Sequence, residues 1–229
     1  MKKTMKSKKS SSAGALYLKV YNIVQVFGWC YILYKLLQNN LFSIEPVDLW
    51  QNVKWPVVIF QYAALLEILH AIAGLVKSNP SLTAFQVLSR VVIVVILLAT
   101  PDNYAASSFG VPLAILAWSI TEVIRYLYYF TNLIEFVPYV LTWLRYTLFI
   151  ALYPIGVSGE LLCVYAAVNY AKSHPQSFDY VFPSSWNFIY YYILVFIMLI
   201  YIPVFPMLYL HMVAQRRKIL GGGAPKKAQ

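Results

Sequence analysis

Eight of the 229 residues are acidic, and three of them, Glu67, Glu122 and Glu160, fall inside long apolar runs. An ionisable side chain within a bilayer is costly to place, so each such position is a candidate functional site. Glu67 is followed at i+3 by His70, and Glu122 at i+3 by Arg125. That spacing sets each pair on one helical face. Both pairs read in two ways: as a neutralised contact that ties helices together, or as groups acting on a substrate. Gln86, Ser89 and Arg90 form a further polar cluster at one end of an apolar run. There the arginine either meets a phosphate-bearing headgroup or snorkels to the interface.

Glu160 differs from the other two acids, because no basic residue stands within four positions of it. Tyr153 precedes it by seven residues. Two helical turns separate them, which puts both on nearly the same face, about 10 Å apart along the axis. Pro154, Gly156 and Gly159 lie between. The proline removes a backbone donor and predicts a kink. The glycines permit close approach by another helix or a ligand. A kink would set phenol and carboxylate at opposite ends of one small pocket, an arrangement suited to general acid–base catalysis. Tyrosine is plentiful, with 20 residues, so Tyr153 draws its interest from Glu160. No metal-ligand spacing or glycine-rich phosphate loop occurs, and no cofactor is expected. Cys30 and Cys163 both sit in apolar runs and read as packing residues, neither a disulfide nor a nucleophile.

The elements that must hold these groups are membrane helices. Hydrophobic residues make up 61% of the chain and charged ones 11%, against about a quarter charged in a soluble domain. That excludes a soluble monomer, and the 17% aromatic content argues against disorder. Six runs have the roughly 20 apolar residues that a span needs: 15–37, 55–76, 84–100, 110–130, 141–170 and 187–213. Pro46, Pro56, Asn79-Pro80, Pro101, Pro138, Pro175 and Pro183 mark the gaps. The expected fold class is an all-α membrane protein, a six-transmembrane-helix bundle over 15–213 with short tails at 1–14 and 214–229. Neither a separate soluble domain nor an internal repeat is visible.

The net charge of +10 is carried by the tails. Residues 10–215 hold eight basic and eight acidic side chains, so no basic stripe exists for nucleic acid, and membrane lipid is the expected surrounding partner. The N-terminus is not a cleaved signal peptide, since its apolar run is too long and no small-residue cleavage site follows. Six spans put both termini on one side, and the positive-inside rule makes that side cytosolic. The loops agree: Glu45, Asp48, Asp102 and Asp179 fall on the other side, while Lys77, Arg90 and Arg145 lie near the cytosolic one. Trp50, Trp55, Trp143 and Trp186 stand near span ends, as interfacial aromatics do. Lys226-Lys227, third and fourth from the end, resemble a dilysine signal for retrieval to the endoplasmic reticulum. Gly221-Gly222-Gly223 would make that tail flexible.

Several blocks in order carry a resemblance: Tyr17-Leu18…Tyr21-Asn22; Leu66-Glu67-Ile68-Leu69-His70 with Gly74-Leu75-Val76 and Ser78; Thr83…Gln86-Val87…Ser89-Arg90. It continues through Trp118-Ser119-Ile120-Thr121-Glu122-Val123-Ile124-Arg125-Tyr126, Trp143-Leu144-Arg145-Tyr146 and Tyr153-Pro154…Gly156…Glu160. Over about residues 17–206 the chain resembles the very-long-chain (3R)-3-hydroxyacyl-CoA dehydratases, a membrane family once labelled protein-tyrosine-phosphatase-like. The resemblance implies that Tyr153 and Glu160 are the catalytic pair. It implies the third step of very-long-chain fatty acid elongation, loss of water from a long-chain 3-hydroxyacyl-CoA to give a trans-2-enoyl-CoA, in a multi-pass protein of the endoplasmic reticulum membrane. The fatty acid elongase, 3-ketoacyl-CoA reductase and enoyl-CoA reductase are its implied neighbours.

Glu160 would then take the C2 proton. Tyr153 would donate to the leaving hydroxyl or to the thioester oxygen, where charge develops, and the reverse assignment stays open. The bundle would supply an apolar tunnel for the acyl chain. Lys77, Arg90 and Arg145 would meet the anionic CoA at the cytosolic face, and Gln86, Glu122 and Arg125 complete the candidate substrate-binding set. The old phosphatase label has no chemical support, since Asn169 stands where a cysteine phosphatase needs an arginine six residues after Cys163. Two other readings remain. One is a non-catalytic membrane scaffold for elongase components. The other is a small transporter using the three intramembrane acids, although such proteins often carry internal repeats.

Overall fold

In the computed structural model, residues 12–38, 45–174 and 187–221 are described, and all regular structure among them is helical. A bilayer leaves backbone groups no water to bond, so a spanning segment must satisfy them within itself. The chain runs α1 (Ser12–Gln38), α2 (Pro46–Ala63), α3 (Leu65–Ile72), α4 (Pro80–Ala99), α5 (Gly110–Leu133), α6 (Tyr139–Thr147), α7 (Phe149–Ser173) and α8 (Asn187–Leu220). Two 3-10 turns, Pro101–Asn103 and Ala105–Ser107, join α4 to α5. Six helical stretches are long and apolar enough to cross a membrane, with α2 and α3 together making one of them.

Several boundaries differ from the sequence reading, and the prolines explain them. Pro46 and Pro80 start helices rather than separating them, since proline at the first helical position has its φ preset and loses no bond. The second span therefore runs Pro46–Ile72, not 55–76, and Asp48 sits in its first turn instead of a loop. Asn79 caps α4, its Oδ1 accepting from the Ser81 amide at 3.0 Å. At the far end of this span, Gly74 turns the chain with φ 70°, a conformation that suits glycine. The fifth expected span, 141–170, is two helices that meet at Leu148. Pro154 lies inside α7 and does not interrupt it. Trp50 is fully buried in the core and is no interfacial residue, whereas Trp55 and Trp143 are exposed. The basic tails over residues 1–11 and 222–229, with Lys226-Lys227, lie outside the described residues, as do Pro175, Asp179, Pro183 and Trp186.

Helix α5 is the axis of the bundle, packed along α1 on one side and α7 on the other. Small residues allow the second contact. A Cβ added to Gly159 would stand 2.7 Å from the Gly110 carbonyl oxygen and 2.6 Å from the Ala114 nitrogen. A Cβ on Gly110 would stand 2.3 Å from the Gly159 oxygen. The two backbones touch there, as small residues permit between membrane helices. Gly156 is less tightly held, its nearest neighbour being the Ala117 Cβ at 3.2 Å. Cys163 is buried and Cys30 is exposed on α1, both as free thiols.

The bundle is densest in the half away from the termini. Ile93 and Val94 of α4, Cys163, Val164 and Ala167 of α7 and Leu194 of α8 are all fully buried and belong to one apolar cluster. Replacing Gly159 with leucine should force α5 and α7 apart. Overpacking of this kind costs about 1–3 kcal/mol, so the melting temperature of the purified protein in detergent should drop, and Gly156→Ala should lower it less.

Candidate active site

In the half nearer the termini the helices part around a cavity of about 920 Å³, walled by α4, α5, α7 and α8 with residues of α6 at its mouth. Tyr153 and Glu160 both line it. Glu160 is buried, and both of its oxygens accept hydrogen bonds. The Trp118 indole Nε1 donates to Oε1 at 2.8 Å, and the Tyr201 hydroxyl donates to Oε2 at 2.7 Å. Among the described residues Glu160 joins no ion pair. Its backbone position is set by Gly159, which is pressed against α5. The carboxylate therefore comes from α7, one donor from α5 and the other from α8, and its plane is fixed from both sides.

Tyr153 is oriented by stacking. Its ring lies 5.2 Å from that of Phe205 with an interplanar angle of 12°, and 6.2 Å from that of Tyr209. Phe205 follows Tyr201 by four residues, so both lie on one face of α8. That face meets Tyr153 at one level and Glu160 at the next. Among the described residues the Tyr153 hydroxyl has no hydrogen-bond partner, and it is left available at the cavity wall.

The other intramembrane acids form one network. Arg125 Nε donates to Glu122 Oε2 at 2.9 Å, and Arg125 Nη2 donates to Glu67 Oε1 at 2.8 Å. Arg90 pairs with Glu122, and the Tyr126 hydroxyl donates to Glu67. The i,i+3 pair Glu122–Arg125 forms as its spacing implies. The Glu67–His70 pair does not, because Glu67 turns to Arg125 and Tyr126 while His70 Nε2 meets the Tyr17 hydroxyl at 2.9 Å. Arg90 does not snorkel; it points inward to Glu122. Glu122 is buried outside the cavity wall, whereas Arg90 and Arg125 reach it.

The mouth of the cavity holds Lys77, Gln86 and Arg145. The Arg145 guanidinium lies over the rings of Tyr128 and Tyr129, 4.4 and 4.6 Å from their centroids. Its Nη1 is buried with no hydrogen-bond partner among the described residues. No three His, Cys, Asp or Glu side chains converge as a metal site among the described residues. The sequence reading missed Trp118 and Tyr201. Trp118 heads the block ending at Tyr126, but nothing in its spacing couples it to Glu160. Tyr201 is one of 20 tyrosines and had no local signal.

Comparison with known proteins shows the family of the chain. Residues 61–222 match the model of the protein tyrosine phosphatase-like proteins, PTPLA. A very-long-chain (3R)-3-hydroxyacyl-CoA dehydratase of Caenorhabditis elegans, hpo-8, is 44% identical over 92% of this chain and 97% of its own length. The chain belongs to this family. Very-long-chain (3R)-3-hydroxyacyl-CoA dehydratase 2 of Homo sapiens is 44% identical over 89% of this chain and 80% of its own. The rice relative, dehydratase PASTICCINO 2A, is 37% identical over 92% and 95%. No solved structure matches the chain.

The charge network has a measurable weight. Glu122→Gln leaves Arg125 with Glu67 and Arg90 with no ion pair among the described residues, and breaking a buried pair costs about 3–5 kcal/mol. Thermal unfolding in detergent should show the loss, and Lys77→Gln, at the exposed mouth, should not.

Proposed function

We propose that the protein dehydrates (3R)-3-hydroxyacyl-CoA to trans-2-enoyl-CoA, the third step of very-long-chain fatty acid elongation, with Tyr153 and Glu160 as the catalytic pair. The observation that carries this reading is a buried carboxylate with no ion pair, held by two neutral donors, sharing one cavity with an unbonded phenol. The names of the relatives support the dehydratase part of it.

The chemistry follows from what each group can do. Glu160 takes a proton from C2 of the substrate, and the electron pair left behind forms the C2–C3 double bond. The C3–O bond breaks, and the hydroxyl leaves as water after receiving the phenolic proton of Tyr153. Return of the proton from Glu160 to the tyrosinate resets the site. Lone pairs on Glu160 beyond those used by Trp118 and Tyr201 remain free for the C2 proton. General acid–base assistance of this kind is worth about 10²–10⁴ in rate for each group. The polar part of CoA stays in water at the mouth. There Lys77 and Gln86 line the wall with the Arg145 guanidinium beside them, and a cationic Lys77 suits a phosphate.

The tails' ten positive charges favour cytosolic termini, so the mouth would open to the cytosol. With the dilysine-like end, this supports residence in the endoplasmic reticulum membrane. There the fatty acid elongase, 3-ketoacyl-CoA reductase and enoyl-CoA reductase would supply the substrate and use the product.

Purified wild-type protein given a long-chain 3-hydroxyacyl-CoA should release the enoyl-CoA. Glu160→Gln and Tyr153→Phe should each lower kcat by about 10²-fold or more, with melting temperatures near wild type. Tyr201→Phe should lower kcat less, since Trp118 still holds one oxygen, and should add little on a Glu160→Gln background because both act through one group. Full activity in Glu160→Gln would remove the carboxylate from the mechanism. An inactive wild type that captured elongase components tightly would favour the scaffold reading.

A further inference from the structure

An acyl chain bound with its C2 and C3 atoms between Tyr153 and Glu160 has to continue somewhere. The straight path toward the face opposite the termini is closed. Beyond Glu160, the side chains of Ile93, Val94, Cys163, Val164 and Leu194 are at 0% exposure and packed together. Any apolar tunnel in the bundle does not continue in that direction among the described residues. The mouth is no better, since its wall is polar there, with Lys77, Arg145 and Gln86. Each methylene left in water costs about 0.8 kcal/mol.

One side of the cavity is open. α4 packs on α3 and α7, and α8 packs on α7 and α6, but no packed seam joins α4 to α8 among the described residues. Phe85, Leu88 and Val92 occupy one face of α4 at i, i+3 and i+7, and all three line the cavity. Ile197, Ile200 and Val204 do the same on α8. Phe85 is 53%, Leu88 46% and Ile200 39% exposed, although each also belongs to the cavity wall. Such residues are the two jambs of an opening, apolar at the six positions named. Tyr201 and Glu160 lie immediately inside it.

We propose that the gap between α4 and α8 is a lateral portal through which the distal part of the substrate's acyl chain lies in the bilayer while its reactive end is held between Tyr153 and Glu160. This rests on the dehydratase reading for the identity of the chain. The cavity then accommodates only the carbons near the thioester, and the membrane takes the remainder. A long product can leave sideways without its tail crossing water. Substrates of very different length fit one site of fixed volume, because nothing in the bundle measures the far end.

Two experiments test the portal. Leu88→Trp and Ile200→Trp narrow the gap without touching Tyr153, Glu160 or the groups bonded to them. With a very-long-chain 3-hydroxyacyl-CoA, kcat/KM should fall roughly tenfold or more, a barrier increase of about 1.4 kcal/mol. With 3-hydroxyhexanoyl-CoA, whose chain ends inside the cavity, it should stay near wild type. Equal losses for both substrates, or none for the long one, would overturn the portal. The second experiment needs no turnover. A long-chain acyl-CoA carrying a diazirine at its terminal carbon is photolysed on the protein in liposomes. Label on the lipid-facing residues of α4 and α8 supports the portal; label within 163–171 of α7, or no protein label confined to α4 and α8, refutes it. An inactive wild type that still labelled α4 and α8 would reject the dehydratase reading and keep the portal.

Discussion

Four intramembrane charges, two buried carboxylates and two half-buried guanidiniums, govern how this bundle is put together. Glu67 on α3, Glu122 and Arg125 on α5 and Arg90 on α4 have no tolerable position singly in an apolar interior. Together they sum to zero, and Arg125 bridges both carboxylates while Arg90 closes the chain. The network therefore fixes α3, α4 and α5 at a single relative depth. It also has a consequence at a distance. Arg90 reaches the cavity wall, where it could have neutralised Glu160, but it is committed to Glu122. Among the described residues the third carboxylate, Glu160, is thus hydrogen-bonded by neutral donors alone.

A second constraint places that carboxylate. The contact of Gly159 with Gly110 and Ala114 presses the backbone of α7 onto α5 one residue before Glu160. The side chain must then emerge beside Trp118, which is why an indole from α5 can reach it. α8 packs on the other flank of α7 and brings Tyr201. Rigid elements hold each partner, so the geometry depends little on loops. Sites supported in this way keep catalytic groups within narrow tolerances.

Much of this was legible in the sequence, and the reasons are local. The six spans show because each is a long apolar run, and Glu122–Arg125 shows because its two residues are one turn apart on one helix. Tyr153 and Glu160 stood out together for the same reason. What stayed hidden depends on distant parts of the chain. Trp118 and Tyr201 lie 42 and 41 residues from Glu160, and no periodicity links them. His70 looked like the partner of Glu67, but Tyr17, 53 residues away, takes it. Pro46 and Pro80 were read as breaks although they open helices, because proline's meaning depends on which side of it the helix lies. Burial of Trp50 was illegible too, since an indole near a span end suits either the interface or the core.

The packed half of the bundle does something besides closing the cavity floor. A membrane protein that admits water and a proton-exchanging carboxylate to mid-depth creates half of an ion-conducting path. In the layer of Ile93, Val94, Cys163, Val164, Ala167 and Leu194 every residue is fully buried, and the one polar group is the weakly donating Cys163 thiol. It acts as electrical insulation. If Glu160 takes a proton from a substrate as proposed, this layer would return it to the side it came from.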